Sequence, residues 1–287
     1  MRRGLVPWLF LAPALVIFSY FKFYPMAKGL YYSFFEVSPY AGNTWIGLDN
    51  FRRAFSDDDM RDAFVHTVID VVGAVGGSAF VGFGLALLLQ GTAGHIKFVR
   101  TAAFLPVTTA VAVVAEVWRI LLYPAGDGLV NRILSWIPGS PFGFLADPDQ
   151  SLASVILMQV WKNAPYDMMI FIAGLAGIDR QLYEAAAVDG ANAWQKVRHI
   201  TIPSLRYVFT IIVALGIIRG FRVFTDVWTL TGGGPGGSSE VVMTKVYKTG
   251  IQDSDIGYAS AVSTMLFLLT VVLTTTYLWR RRRKDAA

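Results

Sequence analysis

Cysteine is absent from the 287 residues, which excludes both a disulfide framework and a thiolate zinc site. Histidine is nearly absent: His66, His95 and His199 are scattered, and no two fall at the spacing that would put a metal-binding pair on one helix face. No Gly-Lys dipeptide occurs, so the phosphate-cradling Walker A loop is missing. No Gly-x-Gly-x-x-Gly opens a helix after a strand, and no Gly-x-Ser-x-Gly nucleophile elbow is present. Charged residues are only 16% of the chain. Without a clustered nucleophile, base or metal set, the sequence does not describe an enzyme.

What is abundant is apolar surface. Apolar residues make up 54% of the chain, mean hydropathy is +0.49, and the apolar runs are far longer than the four to eight residues of buried parallel strands. A polytopic, all-α membrane protein follows, with six spans expected at about 5–35, 64–89, 101–123, 152–178, 205–230 and 258–279, forming one transmembrane domain over 1–287. The first run follows Arg2 and Arg3 and contains Ala12-Pro13-Ala14, which has the look of a signal-peptide cleavage site. Its apolar character continues well past Ala14, so the span is expected to be retained. Five glycines on the second span (Gly73, Gly76, Gly77, Gly82, Gly84) suit close helix packing.

Between the spans, 36–62 turns polar and is expected to be an aqueous loop, 124–149 to contain one amphipathic turn near 129–136, and TGGGPGGSS after the fifth span to be flexible. WKNAPYD is expected to interrupt the fourth span. The net charge of +5 concentrates at span ends, which fits membrane orientation and not nucleic-acid binding. With the amino terminus inside, the inner loops hold Arg2, Arg3, Lys97, Arg100, Arg180, Lys196, Arg198, Arg206 and the tail from Arg280 to Lys284. Both termini are therefore expected in the cytoplasm.

One inner segment, YEAAAVDGANAWQKVRHITIP at 183–203, is no membrane span. Helix formers run to Val188, Asp189-Gly190 breaks them, a second helix follows, and Pro203 limits it. The segment resembles the EAA-x3-G-x9-I-x-L-P loop of ATP-binding-cassette importer permeases at Glu184, Ala185, Ala186, Gly190, Ile200 and Pro203, with Ile202 in place of the usual leucine. WIGLDNFRRAF, VRTAAFLP, LTGGGPGGSS and DIGYASA are similar to the carbohydrate-uptake branch, the maltose and glycerol-3-phosphate permease type. That resemblance implies a type I importer permease with a cytoplasmic helix-turn-helix coupling loop. It also implies a second homologous permease, two ATPase subunits that bind ATP and Mg, an extracytoplasmic solute-binding protein, and no cofactor on this chain. In such a loop, the thin helix made by Ala185, Ala186 and Ala187 seats in a groove, Gly190 permits the turn and Glu184 offers a charge to a partner.

Two clusters of polar and aromatic residues sit where lipid would penalise them. Gln159, Trp161, Lys162, Asn163, Tyr166 and Asp167 lie in the fourth span beside Pro165; Arg219, Phe221, Arg222, Phe224, Thr225 and Asp226 lie in the fifth. Rings that stack on sugar C–H faces, interleaved with hydrogen-bonding groups, suit a saccharide path. Intramembrane pairing, as of Asp167 with Arg219 or Glu116 with Arg222, is the alternative. Asp70, Glu116 and Arg119 are expected to snorkel to the interface, and Trp8, Trp118, Trp136, Trp228 and Trp279 to anchor there. The expected cargo is a mono-, di- or oligosaccharide, with glycerol-3-phosphate or another polyol phosphate as the alternative. A stand-alone secondary transporter or channel would instead show coupling carboxylates and internal repeats, and no repeat is found.

Overall fold

A computed structural model describes residues 6–38, 42–124, 126, 128–138 and 141–285. Arg2 and Arg3, used above for orientation, lie outside them. The described residues form thirteen α-helices and one two-stranded hairpin, besides short 3-10 and π-helical turns. They are α1 (Trp8–Tyr32), β1 (Phe35–Ser38), β2 (Gly42–Trp45), α2 (Asp49–Ser56), α3 (Asp58–Leu89), α4 (Gly94–Thr108), α5 (Val111–Leu121), α6 (Leu129–Ile133) and α7 (Pro148–Leu175), followed by α8 (Arg180–Val188), α9 (Ala193–Ser204), α10 (Arg206–Gly220), α11 (Thr225–Leu230), α12 (Val242–Tyr247) and α13 (Ile256–Asp285).

Three of these helices are long and apolar enough to cross a membrane: α1, α3 and residues Ile256–Arg281 of α13. The number rises to five if each of two bent pairs is one span, α4 with α5 (bent 100°) and α9 with α10 (bent 65°). The third expected span is thus broken. Pro106 lies two residues before the end of α4, where its missing N–H and its ring weaken the preceding turn of the helix near the break. The fifth expected span also ends early, at Gly220, and Thr225–Leu230 is a separate helix. The fourth is longer and more regular than expected: α7 runs 28 residues straight through Pro165 and is not interrupted at WKNAPYD.

The chain divides into two compact units, Met1–Arg61 with Lys245–Leu269, and Asp62–Thr244 with Thr270–Ala287. In the first unit, the stretch expected to be an aqueous loop is an ordered hairpin and helix. β1 and β2 pair antiparallel, Phe35 opposite Trp45. The Asn50 amide on α2 donates to Ser33 O (3.1 Å) and Phe35 O (3.0 Å), so one buried side chain satisfies two carbonyls at the end of α1. Gly257 lies so close to Phe35 O that any Cβ would collide with it. Tyr258, almost fully buried, donates to Asp57 Oδ2 (2.7 Å), and Arg53 lies over its ring (4.3 Å) while bonding Asp255 (2.6 Å). Burial pushes the Asp57 carboxyl up, but the bonds from Tyr258 and Met60 N and the charge of Lys245 outweigh it and hold the group below the usual carboxylate value. α1 itself buries none of its apolar window within the chain, as expected of a helix whose neighbours are lipid or another subunit.

The second unit is organised by α3, which lies against both α7 and α10 through glycine contacts of opposite sense. Gly73 and Gly77 of α3 face Ile156 and Val160 of α7, and Gly82 faces the α7 backbone at Ala164 O and Met168 N. In return, Gly216 and Gly220 of α10 face Val75 and Val71 of α3. At Gly73, Gly77, Gly216 and Gly220 a β-branched side chain fills the space a missing side chain leaves, and at Gly82 the opposing backbone does, so the helix axes approach closely without losing dispersion contacts. The expected packing face is confirmed for Gly73, Gly77 and Gly82, whereas Gly76 and Gly84 meet nothing within 4 Å. Below this waist Met168, Phe171, Leu205, Ile212 and Ala86 form one core cluster. Val155, Met158, Val114, Ala115, Val223, Val227, Leu230 and Val241 form another. The glycine-rich loop at 231–239 is not flexible coil: Ser239 is fully buried, donates to Gly234 O (2.7 Å) and bonds Thr231 Oγ1 (2.8 Å), and Ser238 bonds Ser151 (2.8 Å).

A Cβ on Gly82 would stand 2.8 Å from Ala164 O and 3.0 Å from Met168 N, backbone atoms that cannot swing away. Gly82→Val is therefore expected to cost about 1–3 kcal/mol or more, and Gly76→Ala to be neutral or slightly stabilising. Thermal unfolding of the two purified variants, followed by tryptophan fluorescence, checks the contrast.

Candidate functional site

The helix-turn-helix at 183–203 is built by local rules. Asp179 caps α8 by accepting from Gln181 N (2.9 Å). After Val188 the chain turns at Gly190, whose φ of +76° is costly for a residue with a Cβ. Ala191 N reaches back to Ala186 O (2.8 Å) and Gly190 N to Ala187 O (3.1 Å), closing the helix end. Asn192 and Gln195 then open α9 with a reciprocal capping box (2.9 and 2.7 Å). Tyr183 Oη meets Thr201 Oγ1 (2.9 Å) and ties the two helices together. A π-helical turn, Val197–Thr201, precedes Pro203, and α9 ends one residue later at Ser204.

This self-contained knob leaves its outer surface bare. α8 has no buried residue, Glu184, Ala185 and Ala187 are exposed, and Val188 and Trp194 are 89% and 66% exposed. Ile200 is half-buried, while Ile202 and Pro203 are exposed. A groove of about 300 Å³ lies beside the Gly190 turn, lined by Ala186, Asp189, Lys196 and His199 among others.

The second site is a cavity of about 320 Å³ walled by α3, α7, α10 and the start of α11. Of the twelve residues singled out from sequence, Gln159, Asn163, Arg219, Arg222, Phe224, Thr225 and Asp226 line it. Lys162 and Asp167 stand behind them as ion-pair partners. Asp167, fully buried, accepts from Arg219 Nη2 (3.2 Å) and from Ser78 Oγ (2.8 Å). Lys162 Nζ bonds Asp226 Oδ1 (3.1 Å), both side chains largely covered. Arg219 also lies over the Tyr166 ring (5.1 Å), an arrangement that holds its guanidinium plane. Trp161 is not in the wall; it meets Trp118 edge-on (5.9 Å), and Phe221 is buried. Phe224 stacks on Trp228 (5.6 Å, 16°).

Three sequence expectations need correction. Glu116 does not pair with Arg222: it is three residues before Arg119 on the same helix face and bonds it at 2.7 Å. Arg119 in turn donates to Thr229 O and Leu230 O, where it covers the carbonyl end of α11. Asp70 does not snorkel. It is fully buried and accepts from Gln159 Nε2 (2.8 Å), and its other oxygen finds no partner among the described residues. Trp118 packs against the core cluster around Val155 and is no free interfacial anchor. Sequence reasoning also missed the α3 wall, Ala74, Val75 and Ser78. Ser78 is an inconspicuous residue in a glycine-rich helix, and its role rests on a carboxylate 89 residues away.

The Asp167–Arg219 pair couples α7 to α10. Arg219 is 41% exposed, so removing it is expected to cost less than the 3–5 kcal/mol of a wholly buried pair, about 1–3 kcal/mol. Arg219→Gln alone should lower the unfolding temperature of the purified protein. Asp167→Asn with Arg219→Gln should recover a measurable part of that loss, since no unpaired buried charge remains. A strictly additive double-mutant cycle would mean that the two groups do not interact.

Comparison with known proteins identifies the chain at family level. Residues 82–284 match the family described as binding-protein-dependent transport system inner membrane component. The probable ABC transporter permease protein YurN of Bacillus subtilis is 34% identical, with 95% of this chain and 94% of the relative covered. The sn-glycerol-3-phosphate transport system permease protein UgpA of Escherichia coli is 30% identical, with 95% and 92% covered. Among solved structures, a bacterial ABC transporter involved in import of the acidic polysaccharide alginate superposes with TM-score 0.85 at 26% identity, covering 98% of this chain and 96% of that one. A bacterial alginate transporter in complex with alginate pentasaccharide-bound periplasmic protein gives TM-score 0.84, also at 26% identity and the same coverage. Several long apolar helices and a polar cavity agree with these matches. The chain belongs to the family of binding-protein-dependent transport system inner membrane components and is a transport permease, not a catalytic subunit.

Proposed function

We propose that this chain is the permease subunit of an ATP-driven importer for a sugar or sugar derivative, that the cavity between α3, α7 and α10 is the solute path, and that the knob at 183–203 is its mechanical link to an ATPase. The observation that carries the reading is the separation of two features on one chain. A polar cavity is lined by members of two ion pairs, and a helix-turn-helix, capped at both helix starts, carries exposed apolar side chains. No Gly-Lys dipeptide is present to hold a nucleotide, so the energy source is a partner. The likeness to a permease whose complex includes a sugar-loaded periplasmic protein supports a solute-binding protein as donor.

In this reading the single domain over 1–287 crosses the membrane six times. The three long helices, the bent pair of α4 with α5, and α10, whose bent partner α9 belongs to the knob, supply five crossings. α7 supplies the sixth: its 28 residues reach about 42 Å at 1.5 Å per residue, and its Lys162 and Asp167 are tolerable at depth because they are paired with Asp226 and Arg219. Both termini then lie in the cytoplasm, as the basic inner loops require. A second, homologous permease closes the path from the other side, and two ATPase subunits carry ATP and Mg. Closure of the ATPase pair draws the knobs together and opens the cavity outward; hydrolysis resets it. Glycerol-3-phosphate or another polyol phosphate is the second reading of the cargo, favoured by the arginines on the cavity wall and by the likeness to UgpA.

Glu184 is exposed and bonds nothing that folding needs, so Glu184→Lys is expected to leave the unfolding temperature nearly unchanged. Gly190→Leu forces a side chain onto a positive φ at a tip with open space around it. In the purified importer, both are expected to cut ATPase stimulation by liganded binding protein by about tenfold or more, the scale of losing a charged or well-packed interface contact. Wild-type stimulation in both variants would rule out the knob as the coupling element.

A further inference from the structure

The cavity's charges do not cancel. Two cations line it, Arg219 and Arg222; Arg219 is matched by Asp167 at 3.2 Å, and the lining carboxylate Asp226 is taken by Lys162 at 3.1 Å. Arg222 is exposed, lines the same cavity, and has no acidic partner among the described residues. It stands one turn beyond Arg219, its N–H bonded to Arg219 O (3.1 Å). Arg219 lies in the last turn of α10 and Arg222 in the turn that follows it, and both line the cavity. Arg219 spends one nitrogen on Asp167 while remaining 41% exposed, so much of its donor fork is still open to the cavity. The remaining carboxylate nearby, Asp70, does not line the cavity and is bonded to Gln159. A wall with a surplus guanidinium, a second half-committed one, the Gln159 and Asn163 amides and an aromatic ring at Phe224 is a poor match to an uncharged saccharide. An uncharged saccharide seated there would displace water from the Arg222 guanidinium without supplying a counter-charge.

Building on the reading that this cavity is the solute path, we propose that Arg222, with the free edge of Arg219, is an oxyanion-selecting site, and that the natural cargo is a saccharide or polyol bearing a carboxylate, sulfonate or phosphate group. A planar guanidinium fork engages two oxygens of such a group at once, which gives orientation as well as attraction. The neighbouring amides serve hydroxyls and the Phe224 ring serves C–H faces, so the site takes an anionic head on a carbohydrate body.

The test uses the complete importer reconstituted in proteoliposomes with its ATPase subunits and cognate binding protein. Uptake is measured for three probes: a uronic-acid disaccharide, sn-glycerol 3-phosphate and a neutral hexose disaccharide, each first checked for binding to the binding protein by thermal shift. The proposal expects ATP-dependent uptake of at least one anionic probe. It also expects Arg222→Gln to lower that uptake about tenfold or more, Arg222→Lys to lower it less, and the purified complex to keep all its subunits. Uptake of the neutral probe alone by the wild type would overturn the anion proposal and leave the permease reading standing. Anionic uptake within about twofold of wild type in Arg222→Gln, or loss of the second permease from that variant on gel filtration, would overturn it as well. The latter result would make Arg222 an intersubunit bond. Failure of every solute to cross despite ATP and liganded binding protein would overturn the permease reading together with it.

Discussion

A carboxylate with no exposed surface cannot be left alone in a membrane protein, and Asp167 is not. Arg219 of α10 and Ser78 of α3 converge on its two oxygens from opposite neighbours. That convergence fixes three helices against one another at one depth. Everything polar around it follows the same constraint: Lys162 must find Asp226, Gln159 must find Asp70, and the helices that bring them together must approach closely. The approach is made possible by glycines, on α3 facing α7 and on α10 facing α3. Missing side chains let the backbones close, and closing them brings the charges into hydrogen-bond range. The cavity is what remains where the paired groups line a space and do not fill it.

The knob obeys a different logic. It is held by backbone capping, one positive-φ glycine and one hydroxyl pair, and buries almost nothing. Its shape is set mainly by local interactions. Its tip exposes two large apolar side chains, Val188 and Trp194. In the proposed reading one chain carries a coupling lever and a polar lining with one unmatched guanidinium, and the energy source resides elsewhere.

Much of this architecture is legible in the amino-acid sequence. The knob's helix boundary at Val188, its break at Asp189-Gly190 and its end near Pro203 follow from propensity and proline chemistry alone, because local interactions decide them. Charge and depth leave two alternatives for Asp167, and pairing with Arg219 is the one the fold adopts. What sequence does not show depends on long-range geometry. Whether Asp70 snorkels or is buried turns on which way α3 faces; the Gln159 that claims it is 89 residues away. Pro165 has the chemistry of a helix break, yet α7 absorbs it because packing on both sides outweighs one lost hydrogen bond. TGGGPGGSS has the composition of a flexible linker, but Ser239 and Thr231 knit it into a buried turn. Glu116 takes the nearer arginine on its own helix, since a neighbour three residues away costs no tertiary contact to reach.

Transport by this chain stands or falls with the space between α3, α7 and α10 being the aqueous solute path. The absence of native cysteine allows a direct measurement. Asn163→Cys, on the cavity wall, and Phe80→Cys, 80% exposed on the outer face of α3, are each built into the assembled importer in membranes. Both are treated with a hydrophilic thiol reagent and read out by mass spectrometry of the labelled peptide. If the cavity is the path, Asn163→Cys reacts, its labelling falls when transported solute and liganded binding protein are present, and Phe80→Cys stays unreactive. An Asn163→Cys that is inert in every state of the transport cycle, or reacts without any response to solute, would contradict a solute path through this cavity.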